Sequence, residues 1–289
     1  MKVLVTGCNG QLGHEMQAVL EQELPGQAVY TDIDDLDITD AVKLKDFVIR
    51  NDITHIVNCA AYTAVDRAEE DKAICTKINV EAVRNLANAA GETGAKILHI
   101  STDYVFDGKA FRPYNESDKV NPLSQYGTAK RQGETALIAL APDSIIMRIE
   151  WLYSPFGKNF VKTMLNLGRE RKNIKVVCDQ IGTPTYARDV AKAIVKIIKA
   201  HQWVPGIYHY SNSGAASWYD FTQAIFHLSG IKDCTVQPIP TEDYPTMAVR
   251  PYFSLFNTSK IKATYNVEMP YWIDSLKDCL ERINELEKL

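Results

Sequence analysis

A tyrosine and a lysine four residues apart, Tyr126 and Lys130, form the pair in this sequence best suited to moving a proton. They lie in QYGTAK, at the start of a helical pattern, and the i, i+4 spacing places both side chains on one helix face. A phenol has a reference pKa of about 10, and a neighbouring ammonium group lowers that pKa because it favours the phenolate. The pair is therefore predicted to exchange a proton near neutral pH.

A hydroxyl and a carboxyl group follow the apolar run AKILHI, which is predicted to be a strand. Thr102 and Asp103 would lie at the carboxyl edge of that strand, where open parallel sheets bind their ligands. Thr102 is predicted to hydrogen-bond a substrate oxygen, and Asp103 to contact the substrate. With Tyr126 and Lys130, these groups could protonate a carbonyl oxygen while hydride reaches its carbon.

The amino terminus favours this chemical interpretation over an ordinary exposed pair, which would contribute only a few tenths of a kcal/mol. The strand-like run KVLVT is followed by Gly7, Gly10 and Gly13 in the spacing G-x-x-G-x-x-G. Such glycines allow a tight turn and bring the backbone close to a pyrophosphate at a helix amino terminus. We therefore predict a dinucleotide-binding loop that also includes Gln11 and Leu12.

An acidic residue, Asp32, ends the second predicted strand, QAVYT. It follows Gly13 at about the 20-residue spacing at which a carboxylate accepts hydrogen bonds from an adenosine ribose. Asp32 is accordingly predicted to bind the cofactor. The alternative is a solvated acidic turn, because Asp34, Asp35 and Asp37 lie nearby.

With the glycine motif, STDYVF and YGTAK together, the sequence resembles the extended branch of the short-chain dehydrogenase/reductase superfamily, most closely the dTDP-4-dehydrorhamnose reductase family. The resemblance covers essentially the whole length and is densest over residues 3 to 186. It implies an enzyme that uses NADH or NADPH to reduce the 4-keto group of dTDP-4-dehydro-L-rhamnose, giving dTDP-L-rhamnose. It also implies catalytic roles for Tyr126, Lys130 and Thr102, and contact of Tyr126 and Lys130 with the cofactor.

The same resemblance implies further cofactor contacts, on the adenine side and around the nicotinamide ribose and phosphates, at Asp37, Ile38, Ala61, Tyr62 and Thr63. It implies that Asn79 braces either the backbone of the active site or, through water, the lysine.

Trp151 matches a tryptophan that stacks on the substrate in this family. The chain departs from the family just before it, because Ile149 and Glu150 stand where a threonine and a small residue are usual. A carboxylate at Glu150 could narrow the sugar pocket or change its charge.

The diphosphate of such a substrate needs a local cation, because the chain has a net charge of −4 and no general positive field. Arg250, in VRPYFSLFN, is the predicted anchor, since a guanidinium group suits bidentate contact with phosphate. The alternative is a surface arginine that pairs with Glu242 or Asp243.

Strand and helix patterns alternate along the 289 residues, which predicts an α/β fold with a Rossmann-like doubly wound parallel sheet and a smaller carboxyl-terminal substrate-binding lobe. Residues 1–150 are predicted to form the dinucleotide-binding domain with the catalytic residues. Residues 151–289 are predicted to form mainly the substrate-binding lobe, with segments that return to the nucleotide domain.

Composition argues against several other classes of protein. The Lys and Arg residues are dispersed, which argues against nucleic-acid binding, and no apolar run approaches the ~20 residues of a membrane span. The start of the chain lacks the features of a signal peptide, so a cytoplasmic protein is expected. The six cysteines and six histidines show no metal-ligand spacing, and no metal site is predicted. A requirement for magnesium, and a monomer or a homodimer, both stay open.

Two alternatives in function are left open. One is a reductase or epimerase of another nucleotide sugar, which would share Tyr126 and Lys130. The other is a non-catalytic nucleotide-binding subunit that resembles the regulatory subunit of methionine adenosyltransferase. Retention of Thr102, Tyr126 and Lys130 favours an enzyme, because a binding module has no need of a tuned phenol.

Overall fold

A six-stranded, entirely parallel sheet forms the centre of the protein, seen in a computed structural model that describes residues 1–288. Its strand order is β10-β5-β4-β3-β1-β2. The twelve strands are β1 Val3–Thr6, β2 Ala28–Thr31, β3 His55–Asn58, β4 Lys96–Thr102, β5 Ile145–Ile149, β6 Leu152–Tyr153, β7 Asn173–Val177, β8 Ile181–Gly182, β9 Thr185–Tyr186, β10 Gly206–His209, β11 Ala216–Ser217 and β12 Thr235–Ile239. The predicted doubly wound parallel sheet is confirmed.

Ten α-helices cover the sheet and build the second lobe. They are α1 Gln11–Glu23, α2 Ala41–Arg50, α3 Lys72–Thr76, α4 Ala82–Thr93, α5 Gln125–Leu140, α6 Phe160–Glu170, α7 Ala187–Ile198, α8 Trp218–Ser229, α9 Ser259–Tyr265 and α10 Trp272–Leu286. A π-helical turn, Lys77–Glu81, joins α3 to α4, and short 3₁₀ turns span Arg67–Glu69, Asp103–Val105 and Thr241–Asp243.

Helices pack on both faces of the large sheet because its strands are apolar on both sides. On one face, α1 and α7 bury Met16 and Ile194 against the sheet. On the other face, α2, α4 and α5 bury Leu44, Leu86 and Leu137. Full burial of each such side chain stabilises the fold by roughly 1.5–3 kcal/mol. The two layers of helices therefore hold the strand ends in place.

A third core lies in the carboxyl-terminal part of the chain, where α6, α8 and α10 pack with the paired strands β7 and β12. Phe221 and Leu276 are fully buried there. The chain crosses between the two regions, because β10 pairs with β5 at the edge of the large sheet and α7 packs in the core beside α1. Among residues 1–288, no helix is long and apolar enough to span a membrane.

Candidate active site

A cleft of about 1160 Å³ runs past the carboxyl ends of the parallel strands, where the third core meets the large sheet. This is the edge at which doubly wound sheets bind ligands. The cleft brings together most of the residues predicted from sequence, namely Gly10, Gln11, Leu12, Gly13, Ala61, Thr63, Thr102, Asp103, Tyr126, Lys130, Trp151 and Arg250. One surface therefore joins the glycine loop to the predicted catalytic groups.

Strand register places the polar groups at the reaction end of this cleft. Thr102, the last residue of β4, is directly opposite Ile149, the last residue of β5. Asp103 and Glu150 follow these two positions, and both line the cleft and are almost fully buried. Two buried carboxyl groups, neighbours of each other, thus lie at the ends of β4 and β5.

Tyr126 and Lys130 lie in the first turns of α5, and both are buried at the wall of the cleft. The helix begins there because the Ser124 hydroxyl accepts a hydrogen bond from the Gly127 N–H at 3.1 Å, a typical amino-terminal cap. The cap fixes the direction of the helix and hence the direction of both side chains.

Two partners on β4 hold the Lys130 amine. Its Nζ donates to the Ile100 carbonyl oxygen at 2.6 Å and lies 3.2 Å from His99 Nε2. Burial lowers the pKa of Lys130 to about 8, since a buried ammonium group loses its hydration.

The prediction that Lys130 lowers the pKa of Tyr126 is wrong for this structure. Burial raises the pKa of Tyr126, and the nearby Thr102 hydroxyl opposes that rise only in part. Burial is the largest cause, and the neighbouring Asp103 raises this pKa further. Tyr126 is therefore a neutral phenol that can act as a proton donor.

Asp103 fixes the Thr102 hydroxyl. The Thr102 Oγ1 donates to Asp103 Oδ1 at 2.9 Å and accepts from the Tyr104 N–H at 3.2 Å. Burial raises the pKa of Asp103 to about 6, although the hydrogen bond from Thr102 works in the opposite direction.

Glu150 is held by two donors from the carboxyl-terminal half of the chain. Its Oε2 accepts from the Thr183 N–H at 2.8 Å and from the Ser254 hydroxyl at 2.9 Å. Burial and the neighbouring Asp103 raise the pKa of Glu150 well above its usual range. The sequence marked this carboxyl group as unusual, but it did not predict that Glu150 is a neutral, buried part of the cleft wall.

The glycine loop fits the backbone role predicted for it. Gly7 has a φ of 68°, and a Cβ atom there would lie 2.7 Å from the Ala60 Cα. A Cβ atom on Gly13 would overlap the Gly7 carbonyl oxygen. Gly10 is the amino-terminal cap residue of α1 and provides no side-chain hydrogen bond. The first N–H groups of the helix can therefore donate to a bound anion.

The predicted adenine-side residues lie outside the residues that line the described cleft. The Asp32 carboxylate accepts from the Asn9 N–H at 3.0 Å, beside the glycine loop at the end of β2. The Asp37 carboxylate accepts from the Thr39 N–H at 2.8 Å, and that bond lowers the pKa of Asp37. Ile38 is buried in the core under α2 and α4. Their cofactor roles stay predictions.

Asn79 holds the backbone next to the cleft. Its side-chain amide accepts from the Tyr62 N–H at 3.1 Å and donates to the Tyr62 carbonyl oxygen at 3.0 Å. The Tyr62 hydroxyl donates to Asp71 at 2.9 Å, and its ring packs against the buried cluster that includes Tyr126. These two contacts fit the backbone alternative of the predicted bracing, whose role in the active site stays a prediction. The π-helical turn Lys77–Glu81 places the Asn79 side chain.

Trp151 presents an aromatic surface at the middle of the cleft. Its ring stacks on Trp218 with a centroid distance of 3.5 Å and an interplanar angle of 9°. Trp151 has a φ of 45°, a left-handed conformation that is costly for a bulky residue. Backbone strain at this position is compatible with a binding role, which stays a prediction.

Arg250 lines the outer end of the cleft, but a carboxylate already holds it. Its Nη2 is 2.6 Å from Asp66 Oδ2 and its Nη1 is 3.1 Å from Asp66 Oδ1. Asp66 also accepts from the Ala248 N–H at 3.1 Å. The partners considered from sequence, Glu242 and Asp243, are therefore the wrong ones.

Three further cations, Lys158, Arg171 and Lys175, line the same cleft. Within the described residues 1–288, none of the three forms an ion pair. Arg171 directly follows α6, a position typical of a basic residue at a helix end. No local signal distinguishes that role from a place in a cleft, because the cleft is lined by segments that lie far apart in the sequence.

A search of residues 1–288 finds no group of three or more His, Cys, Asp or Glu side chains placed to hold a metal ion.

Known proteins are similar to this chain over nearly its whole length. The family model described as the RmlD substrate binding domain matches residues 1–285. A dTDP-4-dehydrorhamnose reductase from Aggregatibacter actinomycetemcomitans is 39% identical over 286 residues, covering 96% of this chain and 97% of that protein.

Solved structures of the same family have the same fold. The crystal structure of a dTDP-4-dehydrorhamnose reductase from Clostridium acetobutylicum has a TM-score of 0.94 and 43% identity, covering 98% of this chain and 100% of that one. The structure of the Bacillus anthracis dTDP-4-dehydrorhamnose reductase in complex with NADP has a TM-score of 0.93 and 39% identity, with the same coverage. The chain described here belongs to the dTDP-4-dehydrorhamnose reductase family.

Proposed function

We propose that this protein is a dTDP-4-dehydrorhamnose reductase, which uses a nicotinamide cofactor to reduce the 4-keto group of dTDP-4-dehydro-L-rhamnose to dTDP-L-rhamnose. The observation that carries this proposal is that Tyr126, Lys130 and Thr102 line the same cleft as the glycine loop. A proton donor and a cofactor site are thus within reach of one bound substrate.

The residues present fit a dinucleotide. The loop from Gly7 to Gly13 and the first turn of α1 would hold the diphosphate, because a side chain on either glycine would obstruct the backbone. Ala61, Thr63 and Lys130 would contact the nicotinamide half, and Asp32 the adenosine ribose. When bound, the reduced cofactor supplies the hydride.

Tyr126 supplies the proton that the reduced carbonyl oxygen requires. Its raised pKa keeps the phenol protonated until negative charge develops on the substrate oxygen, when transfer becomes favourable. The Thr102 hydroxyl, now directed to Asp103, would give the same oxygen a second hydrogen bond after rotation about its Cα–Cβ bond.

The outer cleft would bind the remainder of the nucleotide sugar. The stacked rings of Trp151 and Trp218 offer an apolar wall, and Arg250, Arg171 and Lys175 offer positive charge for the diphosphate. Arg250 would have to exchange Asp66 for phosphate, so we regard the three cations together as the diphosphate site.

Cofactor oxidation by the purified protein tests this function directly. With dTDP-4-dehydro-L-rhamnose, we expect the absorbance of NADH or NADPH to fall, and dTDP-L-rhamnose to form. A panel of other nucleotide keto sugars serves as the control, and faster turnover of another member would replace the substrate in this proposal. If the cofactor is oxidised with none of these sugars and a larger partner co-purifies with the protein, a regulatory subunit would be favoured instead.

We further propose that NADH is accepted at least comparably to NADPH, and that the enzyme acts in the cytoplasm as a monomer or a homodimer. Asp32 at the ribose position supports the first proposal. Sedimentation with and without magnesium would decide the oligomeric state and any dependence on that ion.

A further inference from the structure

Three polar side chains form a row across the centre of the large sheet. Thr6 of β1 is directly opposite Asn58 of β3, and Asn58 is directly opposite His99 of β4. All three are at most 1% exposed. Buried polar groups are costly unless they are paired, so this row requires an explanation.

The orientation of the Asn58 amide follows from one backbone group. The Ala60 N–H donates to the Asn58 atom Oδ1 at 3.2 Å, and the Thr6 hydroxyl lies 2.7 Å from the same atom. A backbone N–H can only donate, so this atom is the amide oxygen. The NH₂ group of Asn58 therefore faces His99 Nδ1, at 2.8 Å.

His99 is neutral, because complete burial holds its pKa well below the usual range. A neutral imidazole carries a single N–H. Since Nδ1 must accept from Asn58, the hydrogen is on Nε2, which lies 3.2 Å from Lys130 Nζ.

An ammonium group at Lys130 could not accept a hydrogen bond from this N–H, because an ammonium group has donors only. A neutral amine has a lone pair that can accept the His99 hydrogen, and it keeps an N–H for the Ile100 carbonyl oxygen at 2.6 Å. We propose that His99 is a positioning residue that stabilises the neutral amine of Lys130 relative to its ammonium form. The Asn58 amide, oriented by the Ala60 N–H, fixes the tautomer that does so.

The other titratable groups around Lys130 leave this effect in place. The thiols of Cys59 and Cys75 are neutral, because burial raises the pKa of both. Glu134, on the same helix, favours the ammonium form, but it is held by Arg148 at 2.7 Å and by Arg131. Tyr126, also on α5, is a neutral phenol.

The consequence, which depends on the proposed function, is that Lys130 can exchange a proton near neutral pH. After Tyr126 has protonated the product, an ammonium at Lys130 can restore the phenol and become the amine, which regains its proton from solvent. A lysine with the ordinary pKa of about 10.4 would give up its proton far less readily.

The tautomer can be measured without substrate or cofactor. In protein labelled with ¹⁵N-histidine, the ring nitrogens of His99 are assigned by comparison with His99→Phe. We expect Nε2 to carry the hydrogen and Nδ1 to have the shift of an unprotonated nitrogen. A hydrogen on Nδ1 would overturn the proposal, and this result is independent of whether the protein reduces any keto sugar.

Asn58→Asp tests the effect on Lys130. The new carboxylate still accepts from Thr6 and Ala60, but it requires a hydrogen on His99 Nδ1, so Nε2 becomes an acceptor for an ammonium group. The basic limb of kcat/KM against pH should move upward by about one pH unit or more. Thr6→Val is the matched control, because Ala60 alone still orients the amide, and its limb should not move. An unmoved limb in Asn58→Asp, or equal shifts in both variants, would contradict the proposal.

Discussion

The two ends of the cleft are built in different ways. At the reaction end, Thr102, Tyr126 and Lys130 are held by strand register and a capped helix, and none is more than 9% exposed. At the outer end, Tyr244 and Arg250 belong to a segment with only a short 3₁₀ turn, and Tyr244 is 57% exposed. The comparison suggests that the sheet fixes the chemistry, whereas a loop recognises the substrate. Substitutions at the two ends should therefore affect different kinetic constants.

The largest effect is expected at the reaction end. Tyr126→Phe keeps the buried ring but removes the proton donor, so we expect kcat to fall by about 10²- to 10⁴-fold with cofactor affinity nearly unchanged. Tyr104→Phe is the matched control, because this ring packs edge-on against Tyr126 at 5.5 Å, and it should lose far less activity. Steady-state rates and cofactor titration measure both quantities. Wild-type turnover by Tyr126→Phe would remove the phenol from the mechanism.

At the outer end, Arg250→Ala should raise KM for the dTDP sugar by roughly ten- to a hundredfold, the usual contribution of a charge-assisted hydrogen bond. The kcat value and the affinity for NADH should change little. Asp66→Asn separates the two roles of Arg250. If Arg250 binds the diphosphate, loss of the Asp66 carboxylate should leave KM for the dTDP sugar unchanged or lower it. An equal rise in KM for both variants would show that Arg250 has only a structural role.

A pH profile tests the reaction end without replacing the phenol. The folded-state pKa of Asp103 is raised to about 6, so this group becomes protonated as the pH falls through about 6. The Thr102 hydroxyl then loses the carboxylate that holds it, and kcat/KM should decline on the acidic side of pH 6. Asp103→Asn should have a lower plateau and lack this limb. An acidic limb that persists in Asp103→Asn would belong to another group.

Cofactor choice should give the smallest effect. We expect kcat/KM values for NADH and NADPH within about tenfold of each other, because the Asp32 carboxylate disfavours a 2′-phosphate. Asp32→Ser should shift the ratio towards NADPH by a few-fold. A preference for NADPH on the order of a hundredfold in the unchanged protein would show that Asp32 serves only the Asn9 turn.

The sequence predicted the sheet and the reaction end well, because period, glycine spacing and strand ends are local signals. It failed where distant segments combine. The pKa of Tyr126 depends on burial by elements that no motif describes. The row of Thr6, Asn58 and His99 depends on the register of three strands. The pairing of Arg250 with Asp66 joins positions 184 residues apart, so the choice between Asp66 and nearer acids needed the fold.

That pair has a consequence for how the protein responds to ionic strength. The Arg250 and Asp66 side chains are 25% and 40% exposed, so dissolved salt screens their attraction. Salt also screens the attraction between the diphosphate and the cleft. Added electrolyte would thus release the arginine and weaken its hold on the incoming anion, and substrate capture would pass through a maximum at an intermediate concentration instead of declining steadily.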